Sequence, residues 1–449
     1  MLATAAGALL AVTAAVLTAP HAAQAAEASN AFHVSGGRLL DANDNDFVLR
    51  GVNHAHAWYT AKTPQALKDI KALGANSARV VLSTGDQWTK NDTADVATIV
   101  EQCKASRLVC VLEAHDTTGY GEAGAAVPLS RAVDYWKGIK SAVEGQEKYI
   151  ILNLGNEPYG NTGYENWASG TTDAIKSMRA AGFKHTIMVD APNWGQDWSF
   201  TMRDNAAGVF AADPDKNTVF SIHMYGVYDT AAEVQAYLNR FVSQKLPIVV
   251  GEFGDAHSDG NPDEDAIMAT AQQLGIGYLG WSWSGNGSGV EYLDMATGFD
   301  AGQLTTWGQR FLNGANGIRE TAREASVYGS GGSGGDGGDG GAESGTCQVT
   351  YKLSDWGSSF NADVTIRNTG TTAVKGWQLQ FRFPGDQKIN SAWNAKVSQE
   401  GSTVKATNES WTESIPAGGS ASFGLNGSST SANSTPSAFA LNGASCTTR

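Results

Sequence analysis

The chain predicts a (β/α)8 barrel followed by a small all-β sandwich, an α/β fold with an all-β appendage. Three observations carry this. Roughly eight short apolar, β-rich runs alternate with helix-like stretches over about 300 residues. A tract of Gly, Ser and Asp then breaks the pattern. Beyond it, about 100 residues alternate apolar and polar positions in short runs between turns, as sandwich strands do. With 449 residues, 41% of them hydrophobic, the chain is too long for one ordinary domain and can bury a large core. A net charge of −14 with no basic block excludes nucleic acid and anionic membrane as expected partners and suits a neutral or cationic ligand.

The elements follow in order. Residues 2–19 are almost unbroken Ala, Leu, Val and Thr, and Ala23-Gln24-Ala25 follows as a cleavage site. Residues 1–25 therefore read as a signal peptide, with a membrane anchor as the alternative. The small residues and the cleavage site favour secretion to an extracellular, disulfide-permissive compartment. No later run reaches the ~18 apolar residues of a spanning helix. The barrel segment is 26–328. Its strand-like runs are 47–53, 75–83, 108–115, 149–157, 186–191, 219–225, 247–253 and 276–283, with helix-like stretches at 63–73, 92–105, 129–143 and 231–244. An open doubly wound sheet would usually carry a glycine-rich phosphate loop after its first strand, and none is present. Residues 329–346, GSGGSGGDGGDGGAESGT, cannot bury apolar surface and read as a flexible linker. Residues 347–449 form the sandwich.

Barrel active sites sit where strands end. The polar residues there are Arg79 on the second run, His115 ending the third, Asn156 and Glu157 ending the fourth, His223 and Tyr225 ending the sixth, Glu252 ending the seventh, and Trp281 and Trp283 ending the eighth. Two carboxylates facing across a groove are the minimal equipment for glycoside hydrolysis, one protonating the leaving oxygen and the other attacking C1 or activating water. Taken singly, either glutamate fits a structural pairing with Arg79 or a Lys. His115 and His223 raise a metal pair as an alternative, but no third ligand has suitable spacing. Asp259, Asn261 and Asp263 have the alternating spacing of a calcium loop without the downstream Glu of an EF-hand, so a structural calcium stands against a solvated acidic loop.

In the sandwich, Trp377 lies in a hydrophobic strand and fits the core. Trp356, Trp393 and Trp411 sit in polar contexts, SDWGS, SAWNA and ESWTE, which suggests a flat strip stacking on sugar faces. Cys347 and Cys446 lie at the two ends of the segment, placed to staple them. Cys103 and Cys110 are able to pair if the intervening turn brings their Cα atoms within ~7 Å.

The segments RGVNHAHAWY, ARVVLS, EAHDTTG, LNLGNEPYGN, IHMYGVY, VVGEFG and GWSWSGNG together resemble glycoside hydrolase family 5 and, within it, the bacterial β-mannanases. The resemblance implies Glu157 as acid/base and Glu252 as nucleophile of a retaining enzyme. It implies Arg79 hydrogen-bonded to Glu252 and keeping it ionised, Asn156 on the sugar 2-hydroxyl, Tyr225 donating to Glu252, and His223 beside Glu157. His115 would line the groove, Trp281 or Trp283 would floor it, and Trp58 would support a distal sugar. CQVTY, DWGSSF, GWQLQF, SAWNAK, ESWTESIPAGGS and FGLNGS resemble the family 2 carbohydrate-binding module, with Trp356, Trp393 and Trp411 at its surface positions. Ser359 replaces the Arg of the xylan-binding subtype, which favours cellulose. The expectation is a secreted, monomeric endo-β-1,4-mannanase acting on mannan, galactomannan or glucomannan while held on cellulose, with no cofactor required for catalysis. An endo-β-1,4-glucanase on the same barrel is the first rival. A non-catalytic polysaccharide-binding protein is the second, and the presence of both glutamates argues against it.

Overall fold

A computed structural model describes residues 31–329 and 347–448, apart from 371, 431–432, 434, 437–438 and 443. The expected signal peptide and all but the first residue of the expected linker lie outside the described residues. The chain divides into two compact units, the first ending at Gly329. Among the described residues no helix is long and apolar enough to cross a membrane.

The first unit is a closed barrel of eight parallel strands in chain order: β1 (Arg50–His54), β2 (Ser77–Leu82), β3 (Val109–Ala114), β4 (Ile150–Asn153), β5 (Ile187–Asp190), β6 (Thr218–Met224), β7 (Ile248–Phe253) and β8 (Gly277–Gly280), with β8 closing onto β1. Every residue of these strands is buried. Parallel strands are covered on both faces, which is why they read as continuous apolar runs. Val109, Val111, Ile151, Met188, Val219, Val249 and Leu279 fill the interior. Their alternating neighbours, such as Cys110, Leu112, Leu152 and Val250, pack outward with residues of the helices.

The helices show the local logic. In the helix Thr93–Ala105, Asp92 caps the first turn by accepting from the amides of Ala94 and Asp95. Val96, Ile99, Val100 and Cys103 recur at helical spacing and are its buried face. Cys103 is bonded to Cys110 of β3, with Cα atoms 6.1 Å apart. The helix-like stretch 129–143 breaks at Ile139 into Leu129–Gly138 and Lys140–Val143.

Between β6 and β7 the register slips. Ile222 pairs with Val250, but the next pair is His223 with Glu252, leaving Gly251 as the extra residue of a bulge. A Cβ at position 251 would lie 2.2 Å from Ser221 Oγ. Only glycine permits that approach, and the extra residue changes the strand's alternation just before Glu252.

The second unit is a β-sandwich. One layer holds Lys388–Trp393, Ser420–Ser428, Ser359–Asn368 and Cys347–Asp355. The other holds Phe439–Leu441, Gln378–Arg382, Thr403–Asn408 and Ala395–Glu400, and Ala444–Thr448 joins the two. Phe360, Ala362, Val364 and Ile366 alternate inward along one strand and share a core with Leu379, Phe381, Val404 and Phe423. Trp377 is in that core, 1% exposed, its indole N–H donated to the Thr412 carbonyl. Cys347 is bonded to Cys446, joining the first strand to the last.

Candidate active site

The polar side chains at the C-terminal mouth of the barrel converge on Arg79. It stands on β2 with no exposed surface, and all its donors are used. Nη1 donates to Glu252 Oε1 at 2.6 Å and Asn53 Oδ1 at 3.0 Å. Nη2 donates to Asn156 Oδ1 at 2.7 Å and Asp190 Oδ2 at 3.1 Å, and Nε donates to Asn153 Oδ1 at 2.9 Å. A buried cation is costly unless paired. Here burial alone would favour loss of its proton, but Glu113, Glu252 and Asp190 hold the guanidinium charged.

Glu157 and Glu252 face one another across His223. The His223 Nδ1 is 2.7 Å from Glu157 Oε1 and 3.5 Å from Glu252 Oε2, and its Nε2 is 3.3 Å from Asp190 Oδ2. Burial would lower the His223 pKa, but the charges of Glu252 and Asp190 outweigh it and push it up to about 10. Asp190 is the converse. Burial raises it, and His223 and Arg79 bring it down to about 2. Burial also raises Glu252 above the usual carboxylate range, against the opposing pull of His223 and Arg79. The Tyr225 hydroxyl donates to Glu252 Oε2 at 3.0 Å. Asn156 donates from Nδ2 to Thr118 Oγ1 at 2.9 Å while Arg79 holds its oxygen.

Glu157 lies beyond β4, on a loop rather than on the strand end that the apolar run 149–157 implies. Its φ of 40° is left-handed, a conformation a non-glycine residue holds only where its surroundings fix it. Its amide donates to Asp190 Oδ2 at 3.3 Å and its carbonyl accepts from the Gly119 amide at 2.9 Å.

His115 donates from Nδ1 to Glu113 Oε1 at 2.8 Å. Burial would depress its pKa, and the Glu113 charge reverses that and raises it. The His115 ring stacks with Trp281 at 5.9 Å and 20°, and Trp58 meets it edge-on at 5.2 Å. Trp281 is the groove tryptophan. Trp283 is not: contrary to the sequence expectation, it is fully buried in the barrel core and does not reach the groove surface. The reason is that β8 ends at Gly280, so strand alternation no longer relates positions 281 and 283.

The calcium-loop residues have partners within the protein. Asp259 accepts from Gln196 Nε2 and the Gly226 amide and contacts His257. Asp263 caps the helix Glu264–Leu274 through the Ala266 amide, and Asn261 is exposed. The one group of three His, Cys, Asp or Glu residues with closely set candidate ligand atoms, among the described residues, is Glu157, His223 and Glu252, within 4.8 Å of one another. Arg79 already places a cation on Glu252, which opposes a second one there.

Three participants escaped the sequence reading. Asp190 is the last residue of β5, so the strand-end rule that points to Glu252 applies to it equally. Glu113 is the penultimate residue of β3. Trp88 lies edge-on to Trp58 at 5.1 Å and 5.7 Å from His115. Its loop is ordered by Asp116, which accepts from the amides of Thr84, Asp86 and Gln87. The polar setting GDQWTK is the same signal that singled out the sandwich tryptophans. Those three are exposed: Trp356 by 62%, Trp393 by 43% and Trp411 by 71%.

The family description "Cellulase (glycosyl hydrolase family 5)" matches residues 40–287, and "Cellulose binding domain" matches residues 347–446. A mannan endo-1,4-beta-mannosidase of Streptomyces lividans is 62% identical over 316 residues, covering 70% of this chain and 82% of that protein. A mannan endo-1,4-beta-mannosidase of Cellvibrio japonicus is 53% identical over 306 residues, covering 68% and 71%. The mannotriose complex of Thermomonospora fusca beta-mannanase superposes with a TM-score of 0.65 at 55% identity, covering 67% of this chain and 99% of that one.

Proposed function

The chain belongs to glycosyl hydrolase family 5, and on that premise we propose that it is a retaining endo-β-1,4-mannanase whose C-terminal module binds cellulose. One observation carries the mechanism: an oxygen of Glu157 and an oxygen of Glu252 lie within 4.8 Å of each other, with His223 between them. Retaining glycosidases set their carboxyl groups about 5–5.5 Å apart, whereas inverting ones leave about 6.5–9.5 Å for a water.

Glu252 attacks C1 of the sugar as Glu157 gives its proton to the leaving oxygen. Water then attacks C1 of the glycosyl–Glu252 ester, Glu157 takes its proton, and Glu252 leaves as a carboxylate. The contacts support these roles. Arg79 and Tyr225 occupy both Glu252 oxygens and hold that carboxyl in place, while Glu157 meets His223 and borders a cleft beyond it. Asn156, oriented by Arg79 and Thr118, meets the 2-hydroxyl. Trp281 and His115 receive the sugar, and Trp58 extends the groove.

Mannan over glucan is supported by the names of the Streptomyces and Cellvibrio relatives. Cellulose binding by Trp356, Trp393 and Trp411 is supported by the match to a cellulose-binding domain and by their exposure. Secretion through residues 1–25 and action on galactomannan and glucomannan as a monomer complete the reading. The deciding experiment follows reducing-end release from galactomannan and carboxymethylcellulose in parallel, with NMR of the first anomer formed. Release from galactomannan as the β-anomer is expected. Release from carboxymethylcellulose alone overturns the mannanase reading, and an α-anomer overturns the double displacement.

A further inference from the structure

We propose that Asp95 is a positioning residue for the groove: one of its oxygens clamps the loops that carry Trp58 and Trp88 into a single aromatic wall and so sets the enzyme's grip on long mannan chains. This rests on the mannanase reading above and on Trp58 lying in its groove.

Trp58 follows β1 and Trp88 follows β2. Their rings meet edge-on at 5.1 Å, and both lie beside His115. What joins the two loops stands behind the rings. Asp95 Oδ2 is 3.0 Å from His56 Nε2 and accepts from Asn91 Nδ2 at 2.7 Å. His56 is two residues before Trp58, and Asn91 is three residues after Trp88. Asn91 is built into its own loop. Its Oδ1 accepts from the Ser83 amide at 2.7 Å, and its amide donates to the Ser83 carbonyl at 3.1 Å. The Ser83 hydroxyl in turn donates to the Trp88 carbonyl at 3.2 Å. One carboxylate oxygen thus holds both loops.

The clamp is anchored to the barrel. An ionised carboxylate only accepts, so His56 carries its proton on Nε2 and donates it to Asp95. Burial holds both His56 and His54 below the ordinary imidazole pKa, His54 at about 3, so both rings are neutral at pH 7. The bare His56 Nδ1 then accepts from the Thr63 hydroxyl at 2.6 Å. Thr63 has one proton to give, so His54 donates from Nε2 to Thr63 Oγ1 at 2.8 Å. His54 is the last residue of β1, and Thr63 is the first residue of the helix Thr63–Ala72. Hydrogen bonds therefore run in one direction from β1 through His54, Thr63 and His56 to Asp95. His54, Thr63 and His56 are all buried.

Asp95 is not spent on its own helix. Asp92 already accepts from the amides of Ala94 and Asp95 at the first turn of Thr93–Ala105, which leaves the Asp95 side chain to the loops. A stacking surface binds best when it is held in place before the sugar arrives, because a ring that must be ordered on binding loses affinity to that ordering. The clamp works on the wall and not on the carboxyls that act at C1. Its effect should therefore appear in the binding of chains long enough to reach Trp58 and Trp88, and so in KM before kcat.

The test measures kcat and KM on mannohexaose for the full chain as wild type, Asp95→Ala, Asp95→Asn, Trp58→Ala and the double variant of Asp95→Ala with Trp58→Ala. Asp92→Ala, which loosens the same helix turn, is the control for stability. KM does not depend on how much of a variant is folded. Asp95→Ala should raise KM about three- to tenfold, the scale of one lost stacking contact, with kcat per folded enzyme within about twofold. Asp95→Asn keeps an oxygen for both donors and should recover most of the loss. In the Trp58→Ala background, Asp95→Ala should add less than about twofold, because the ring it positions is gone. A KM for Asp95→Ala within twofold of wild type overturns the proposal. So does its full effect persisting in the Trp58→Ala background, or an equal rise in Asp92→Ala. Trp58→Ala with the KM of wild type overturns it too, since the wall then holds no sugar, and leaves the hydrolytic reading standing. Wild type that leaves mannohexaose and mannan uncleaved overturns the functional reading beneath the proposal, and the proposal with it.

Discussion

The barrel mouth and the exposed tryptophans of the sandwich are built on opposite principles. At the mouth, Arg79 has no exposure and every donor engaged, and Glu252, Asp190 and His223 are buried around it. On the sandwich, Trp356 and Trp411 leave well over half their surface in water. Chemistry on a sugar needs charges held in fixed places where water does not screen them. Holding a flat chain surface needs apolar area kept available. Damage to the first should therefore act through rate and stability together, and damage to the second chiefly through affinity.

The sharpest break in that comparison is Glu252→Ala. Removing the group that forms the covalent bond should lower kcat on galactomannan by on the order of 10^4-fold or more, as for nucleophiles that act as part of a unit. Glu157→Ala should lower it by about 10^2–10^4-fold, the range for one acid–base group. The Glu157 variant should be far less impaired on 4-nitrophenyl β-mannobioside, whose leaving group needs little protonation. Steady-state kinetics on both substrates checks the pair, and the reverse pattern would exchange the two roles.

The mouth should also betray itself through pH. His223 has a pKa of about 10 in the fold against about 6.5 in an unfolded chain. A raised pKa stabilises the fold fully below the unfolded value, and that contribution is lost as pH climbs through the folded one. The Tm of the barrel should accordingly fall between pH 7 and 10, and His223→Gln should flatten that decline. Asp190, at about 2, has the opposite sign: its contribution holds above about pH 4 and disappears as pH drops through 2. A wild-type Tm level from pH 7 to 10 would contradict the ionised His223. The second unit holds no histidine, so its own Tm supplies the comparison.

How far the sequence reached differs between the regions for the same physical reason. The eight apolar runs located the barrel because parallel strands are buried on both faces. The polar residues on and at the ends of those runs point to Arg79, His223 and Glu252. Glu157 was identified although it lies past β4, because the loop residues extend an apolar run. The bulge at Gly251 was not visible, since a one-residue slip leaves no periodic trace. Parity failed at Trp283 because β8 stops at Gly280. Asp190 went unremarked because a lone strand-end carboxylate looks like any paired one until Arg79 and His223 are seen on it. In the sandwich, polar flanks were enough to separate Trp356, Trp393 and Trp411 from the buried Trp377.

That separation supplies the smallest and most discriminating effects. Trp377→Ala empties a site packed against Phe423 and costs the Thr412 carbonyl its donor. It should destabilise the second unit by about 3–5 kcal/mol as a large-to-small core change, seen as a lower Tm. Trp411→Ala removes a ring that is 71% in water and should leave that Tm where it was. Its cost should appear only in depletion assays on microcrystalline cellulose. One stacking contact is worth about 0.5–1.5 kcal/mol beyond area burial, which makes affinity several-fold weaker. The Trp393 ring differs from the other two, because a Cβ on Gly424 would come within 2.0 Å of it. Trp393 packs directly against that glycine, so Trp393→Ala should lose affinity and a little stability at once. If Trp411→Ala lowers the Tm as much as Trp377→Ala does, exposed and buried tryptophans are not divided between binding and folding, and the contrast between the two regions fails at its weakest point.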